Sequence, residues 1–229
     1  MAIKYTKQQV LDRLEQAKLD MPVFYQQDFV NYSGKTTDTK EYYTEVVTEW
    51  LIGNLQLLNQ IPQITRTASY KTPTHHGWTT RANSNRLEER IAMAMFRQKG
   101  LPCLGLVLDY QTPLKNKRSS RTGKIDLLAY DGAMMRVMEL KEQESKETML
   151  RCVLEGYTYL KTADIEKLLQ DFALPSSTKV QACPLVSSGK IQNLEMKDQR
   201  PHLRMLMELL DSKPFFYINN GDKFDVVEK

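Results

Sequence analysis

Residues 123–141 run Gly-Lys-Ile-Asp-Leu-Leu-Ala-Tyr-Asp-Gly-Ala-Met-Met-Arg-Val-Met-Glu-Leu-Lys, and they constrain the fold more than any other stretch of the chain. Two short apolar-rich segments flank Asp131-Gly132, a pair suited to the positive-φ positions of a tight turn. The stretch is therefore predicted to form two neighbouring β-strands. Side chains alternate faces along a strand, so Glu139 and Lys141 point one way and Leu140 the other. A hairpin at Asp131-Gly132 sets Asp126 beside Glu139, and two carboxylates and an ammonium converge at the end of a sheet. Asp126 and Glu139 can each lend an oxygen to Mg²⁺ and the backbone carbonyl of Leu140 a third, an arrangement that suits a hard cation and a water to be activated.

The elements around this hairpin follow from periodicity. Thr6 can cap a helix over residues 5–20, with Val10, Leu11, Leu14, Ala17 and Leu19 at helical spacing before Pro22. A longer helix is predicted over 38–60, starting near Asp38 or Thr39 and carrying Tyr42, Val46, Trp50, Leu51 and Leu55 on one stripe. Residues 62–84 are polar and Thr-rich and read as a connector, so residues 1–80 form a helical N-terminal extension. From residue 84 the pattern changes. Ser84 or Asn85 can cap a helix to Gln98, stopped by Gly100. Strands follow at 104–110, 125–130 and 134–140, then helices at 146–162 and 163–172. A strand at 179–186, a helix at 200–210 and a strand at 215–218 complete the chain. The expected class is α/β, with a mixed sheet between helices over residues 84–229.

Composition excludes several alternatives. The 229 residues are 41% hydrophobic and 26% charged, with a net charge of +4. These values fit a globular chain and permit nucleic-acid binding without requiring it. No apolar run approaches about 18 residues and the N-terminus lacks the apolar core of a signal peptide, so a cytoplasmic chain with no membrane partner is expected. The three cysteines, Cys103, Cys152 and Cys183, lack CxxC spacing and read as buried reduced thiols.

Lys115, Lys117, Arg118, Arg121 and Lys124 give the segment leading into Asp126 five positive charges and no negative one. A loop of this kind beside the site can contact phosphates without reading sequence; a solvated loop is the equal alternative. His75-His76 and Trp78 have no carboxylate nearby in sequence and read as part of a polar loop.

Gly123-Lys124-Ile125-Asp126, a hairpin and then Glu139-Leu140-Lys141 resemble the PD-(D/E)xK nuclease superfamily. That superfamily includes restriction endonucleases, RecB-type exonucleases and archaeal Holliday-junction resolvases. Its helix, three strands, helix, strand core matches the order over residues 84–187, while residues 1–80 lie outside it. The resemblance implies a restriction-endonuclease-like core and a Mg²⁺-dependent hydrolase, with Mn²⁺ as substitute, acting on phosphodiester bonds of DNA ahead of RNA. Asp126 and Glu139 would hold the metal and Lys141 assist the attacking water. A further Glu from the first core helix completes many such sites, and Glu88 and Glu89 are the candidates. Glu89, Ala92, Phe96 and Gly100 match the resolvase-like spacing and favour Glu89, while Glu88 stands three after Asn85, where a capping-box Glu belongs. RecB-like members carry Gln and Tyr four apart on the next helix; this chain has Glu155 and Tyr159. The Pro before the Asp is replaced by Lys124-Ile125. The alternative is a catalytically inactive module of the same fold that binds nucleic acid or a protein. Residues 1–80 leave substrate binding, pairing of two copies and docking of a protein partner equally open.

Overall fold

A computed structural model of the chain describes residues 4–72, 75, 86–116, 123–197, 199–221 and 223–228. They form an α/β fold around one mixed sheet of seven strands, ordered β1 to β7 as in the chain. Strands β1 (Gly100–Leu101), β2 (Gly105–Pro113), β3 (Lys124–Tyr130) and β4 (Met134–Lys141) make an antiparallel meander. Strand β5 (Lys179–Ser187) then pairs parallel to β4, and β6 (Phe215–Asn219) parallel to β5. Parallel pairing needs a crossover. Helices α4 (Met149–Thr162) and α5 (Ile165–Asp171) supply the first, and α6 (Ile191–Lys197) and α7 (Pro201–Leu209) the second. Strand β7 (Phe224–Glu228) returns antiparallel to β6.

The sheet curls into a barrel-like form around α3 (Leu87–Gln98), bringing β7 near β1. The Gln98 side chain at the end of α3 holds β7, donating to the Phe224 carbonyl at 2.9 Å and accepting its N–H at 2.8 Å. Ile91, Ala92 and Met95 of α3 pack inside this curl against Leu127, Met138, Leu140 and Phe215. On the opposite face, Leu128, Met135 and Val137 pack with Val153 and Leu154 of α4. Both faces are covered, so β3 and β4 read as nearly continuous apolar runs. Gly105, at φ +75°, has no room for a side chain, because a Cβ there would overlap the Tyr130 carbonyl.

The N-terminal helices share the outer core. Helix α1 (Lys7–Ala17) starts at Thr6 in a capping box completed by Gln9. Val10, Phe24 and Leu51 join one hydrophobic cluster with Val153 and Leu206. The long helix expected over 38–60 is shorter. Tyr42 bridges back to Lys35, and Lys40 takes a positive φ of 61°, so α2 spans only Tyr43–Gly53, and Leu55–Gln60 tightens to 3₁₀. Glu45 of α2 accepts the N–H groups of His202 and Leu203, both at 3.0 Å, and so caps α7. Gly100 opens β1 rather than stopping α3; Lys99, at φ 66°, ends that helix. The expected caps Ser84 and Asn85 and the residues His76 and Trp78 lie outside the described residues. Cys152 and Cys183 are buried free thiols, whereas Cys103 is exposed, a correction to the reading of all three as buried. Among the described residues no helix is long and apolar enough to cross a membrane.

Candidate active site

The β3–β4 turn sets the geometry. Asp131 accepts the N–H groups of Ala133 at 2.9 Å and Met134 at 2.8 Å, and Gly132 takes φ +101°. Its other oxygen accepts from Arg136 at 2.7 Å. Burial raises the Asp131 carboxyl, but these donors outweigh it and hold it at about 2. The strand register that results pairs Leu127 with Met138, and the ladder between the two strands ends there. One residue on, Asp126 Oδ2 accepts the N–H of Leu140 at 2.9 Å. Gln111, in the left-handed region at φ 47°, donates its side-chain amide to Asp126 Oδ1 at 2.7 Å. Leu140 of β4 and Gln111 of β2 thus lock Asp126 through both oxygens.

Glu139 and Lys141 lie on the face toward α4, and Leu140 on the face toward α3. Gly156 of α4 packs on Glu139, where a Cβ would make an ordinary contact of 3.4 Å with Glu139 Cβ. Lys141 Nζ lies 2.7 Å from Glu139 Oε1, 2.9 Å from Glu147 Oε2 and 3.3 Å from Glu155 Oε2. Arg151 Nε stands 3.4 Å from the same Glu155 oxygen, and the Tyr159 hydroxyl donates to Glu155 Oε1 at 2.8 Å. The second oxygen of Glu139, Oε2, is buried and meets no N–H or hydroxyl donor among the described residues, while a hydrogen bond between the Glu139 and Glu155 carboxyls helps to lower Glu155.

Burial pushes the Asp126 carboxyl up to about 7, against the pull of Lys141 and the Leu140 N–H. Burial and then the neighbouring Asp126 charge push Glu139 well above the carboxylate range. Glu155 is buried too, yet Lys141, Arg151 and the Tyr159 hydroxyl keep it below its ordinary value. Burial lowers the Lys141 ammonium, but Glu139 and Glu155 more than reverse this and keep it charged.

These shifts make stability depend on pH. Asp126 titrates at 3.8 when unperturbed and at about 7 in the fold, so the native state holds its proton more tightly. The stability this contributes is complete below pH 3.8 and is lost as pH rises through about 7, on the order of 4 kcal/mol in all. Asp131 acts oppositely, contributing above its ordinary value of 3.8 and losing that contribution as pH falls through about 2. Urea unfolding without divalent cations is therefore expected to show stability declining from pH 5 to pH 8. A flat or rising profile would mean that Asp126 ionises in the fold at little cost.

The cleft over this cluster has a volume of about 730 Å³, and Glu88, Glu89, Lys115, Lys124, Asp126, Glu139 and Lys141 all line it. Glu88, raised by burial, interacts with Lys141, and its charge reaches Asp126. Glu89, the residue that the spacing favours, lies 3.9 Å from Arg86 and acts on Tyr110 instead. The apolar stripe Ile91, Ala92 and Met95 carries the signal for this, since Glu88 stands three, four and seven residues before it on the same helix face. Lys117, Arg118 and Arg121 lie outside the described residues. Gln111 and Glu147 were not singled out by sequence reasoning; Gln111 faces Asp126 across β2–β3, and Glu147 reaches Lys141 from the loop before α4. His75 does have a carboxylate partner, with Nδ1 2.5 Å from Asp109 Oδ1 and its ring stacked 3.9 Å from that of Tyr110. Among the described residues no group of three or more His, Cys, Asp or Glu side chains is arranged to hold a metal ion. Compared with protein-family models, curated proteins and solved structures, the chain matches none.

Proposed function

We propose that the chain is a metal-dependent nuclease of the PD-(D/E)xK type, with a restriction-endonuclease-like core, hydrolysing phosphodiester bonds of DNA ahead of RNA. One observation carries the reading: the carboxyl groups of Glu88, Asp126, Glu139, Glu147 and Glu155 gather around the ammonium of Lys141 and the guanidinium of Arg151, a surplus of buried negative charge among the described residues. Buried surplus negative charge is satisfied by protons or by a cation. The donor set fits Mg²⁺, which takes few protein oxygens and keeps several waters, so two carboxylates and the Leu140 carbonyl suffice.

When bound, Mg²⁺ or Mn²⁺ supplies a water of lowered pKa and positive charge beside the phosphate. The residues of the chain do the rest. Asp126, fixed by Gln111 and the Leu140 N–H, would hold the cation through its carboxylate. Lys141, its ammonium held beside Glu139, would assist the attacking water and offset charge developing on the phosphate. Lys115 and Lys124 on the cleft wall hold flanking phosphates, and Glu88 adds negative charge on the α3 side.

Cleavage of supercoiled, linear and branched DNA with Mg²⁺ or Mn²⁺ tests the reading. Asp126→Ala and Lys141→Ala are each expected to lower the rate by about 10²–10³-fold. Equal cleavage by wild type and both variants would reject these residues as the site. DNA binding without cleavage of any substrate would instead assign the inactive module.

A further inference from the structure

We infer that an uncharged pocket beside the cleft receives a nucleobase, so that the substrate is a single strand; the cleavage part of this rests on the nuclease reading above. The pocket, of about 600 Å³, lies between the 3₁₀ turn Met21–Gln26, the segment at 62–64 and α4. Pro22, Val23, Pro62 and Ile64 give it apolar walls, and Gln26 and the Tyr25 hydroxyl, paired at 2.8 Å, give it a polar edge; none of its described lining residues is charged. Its size falls within the roughly 300–1,000 Å³ of small-molecule sites.

Gly123 and Tyr159 line both this pocket and the charged cleft, so the two compartments adjoin. A Cβ at residue 123 would overlap the Tyr159 hydroxyl, and glycine is what lets the β3 entry pass against that ring. Tyr159 is itself fixed by Glu155 at 2.8 Å and by the edge of the Tyr25 ring at 6.0 Å between centroids. A nucleotide has the same two-part character: a charged phosphate and, one sugar away, a neutral planar base with apolar faces and polar edges. With the phosphate over Asp126, Glu139 and Lys141, the neighbouring compartment is chemically matched to the base. A base stacked and paired in a duplex cannot enter such a recess, whereas an unpaired one can do so at the cost of its own stacking alone. The helical N-terminal region supplies the Met21–Gln26 wall, which assigns it a part in substrate selection.

The test is binding of an end-labelled 15-nucleotide DNA strand, followed by fluorescence anisotropy in Ca²⁺, with an abasic site placed at each position in turn. Wild type is expected to bind the intact strand at least about ten-fold tighter than the blunt duplex, and to lose about ten-fold at one abasic position. Val23→Trp and Ile64→Trp fill the pocket and are expected to become indifferent to that position while melting as wild type does. Equal affinity for strand and duplex, or a wild type insensitive to every abasic position, would overturn the inference, and the wild-type scan decides it even if both variants misfold. A wild type that shows the abasic effect yet cuts nothing in Mg²⁺ or Mn²⁺ keeps the base pocket and loses the nuclease reading. Cleavage of strand and duplex at equal rates does the reverse.

Discussion

Replacement of Lys141 by methionine is expected to lower the unfolding free energy at pH 8 by about 3–5 kcal/mol, because it breaks a buried ion network from the side of its single ammonium. The Lys141 side chain is 7% exposed and lies within 3.3 Å of oxygens from Glu139, Glu147 and Glu155. Methionine preserves most of the volume, so packing changes little and the cost is electrostatic. Glu155 retains Arg151 at 3.4 Å, while Glu139 loses the only cation in contact with it among the described residues. Protonation relieves such carboxylates, and the loss is therefore expected to shrink at pH 5. Calorimetry at both pH values reads this as a Tm decrease on the order of 10 °C at pH 8 and a smaller one at pH 5. The same decrease at both would place the cost in packing rather than charge.

Glu139→Gln is expected to act in opposite directions on stability and activity. The Gln carbonyl can keep the Lys141 contact that Glu139 Oε1 makes at 2.7 Å. Its amide then replaces Oε2, a buried oxygen with no N–H or hydroxyl donor among the described residues, and offers an N–H to the Glu155 carboxyl, with which Glu139 shares a hydrogen bond. Removing an unsatisfied buried acceptor is worth about 1–3 kcal/mol, so urea denaturation without divalent cations should show a more stable protein at pH 8. Divalent-dependent cleavage should fall by about 10³-fold, because an amide is a poor substitute for a carboxylate on Mg²⁺. Such a site stores instability for use. Lower stability in the variant would mean that the Glu139 charge supports the fold, and the case for a surplus of buried negative charge would fail.

The hairpin was legible because Asp131-Gly132 specifies its own turn and because β3 and β4, covered on both faces, announce themselves as apolar runs interrupted only by Asp126, Arg136 and Glu139. Alternation then placed Glu139 and Lys141 together without any tertiary information. What lay outside local pattern was harder. Glu147 sits in an irregular loop, and only the fold carries it to Lys141. Asp109 meets His75 across 34 residues, next to the irregularity of β2 between Val107 and Asp109. The extended α2 prediction failed on Lys40, whose positive φ no apolar stripe encodes. Strand β7 was passed over although Asn220-Gly221 marks the turn before it, since Phe224 and Val226 are too few to stand out. Glu88 and Glu89 differ by one step on a helix; family-like spacing favours one, and the burial of Ile91, Ala92 and Met95 turns the other toward Asp126.

Asp126 and Glu139 are proposed to share a divalent cation. Titrating Mn²⁺ into the protein at pH 8, with the paramagnetic resonance signal of free Mn²⁺ as readout, measures this without any substrate. Wild type is expected to take up one ion per chain, less readily as pH falls below the value near 7 at which Asp126 gains its proton. Glu139→Gln and Asp126→Ala are expected to take up none at the same concentration. No uptake by wild type, or undiminished uptake by both variants, would contradict the account.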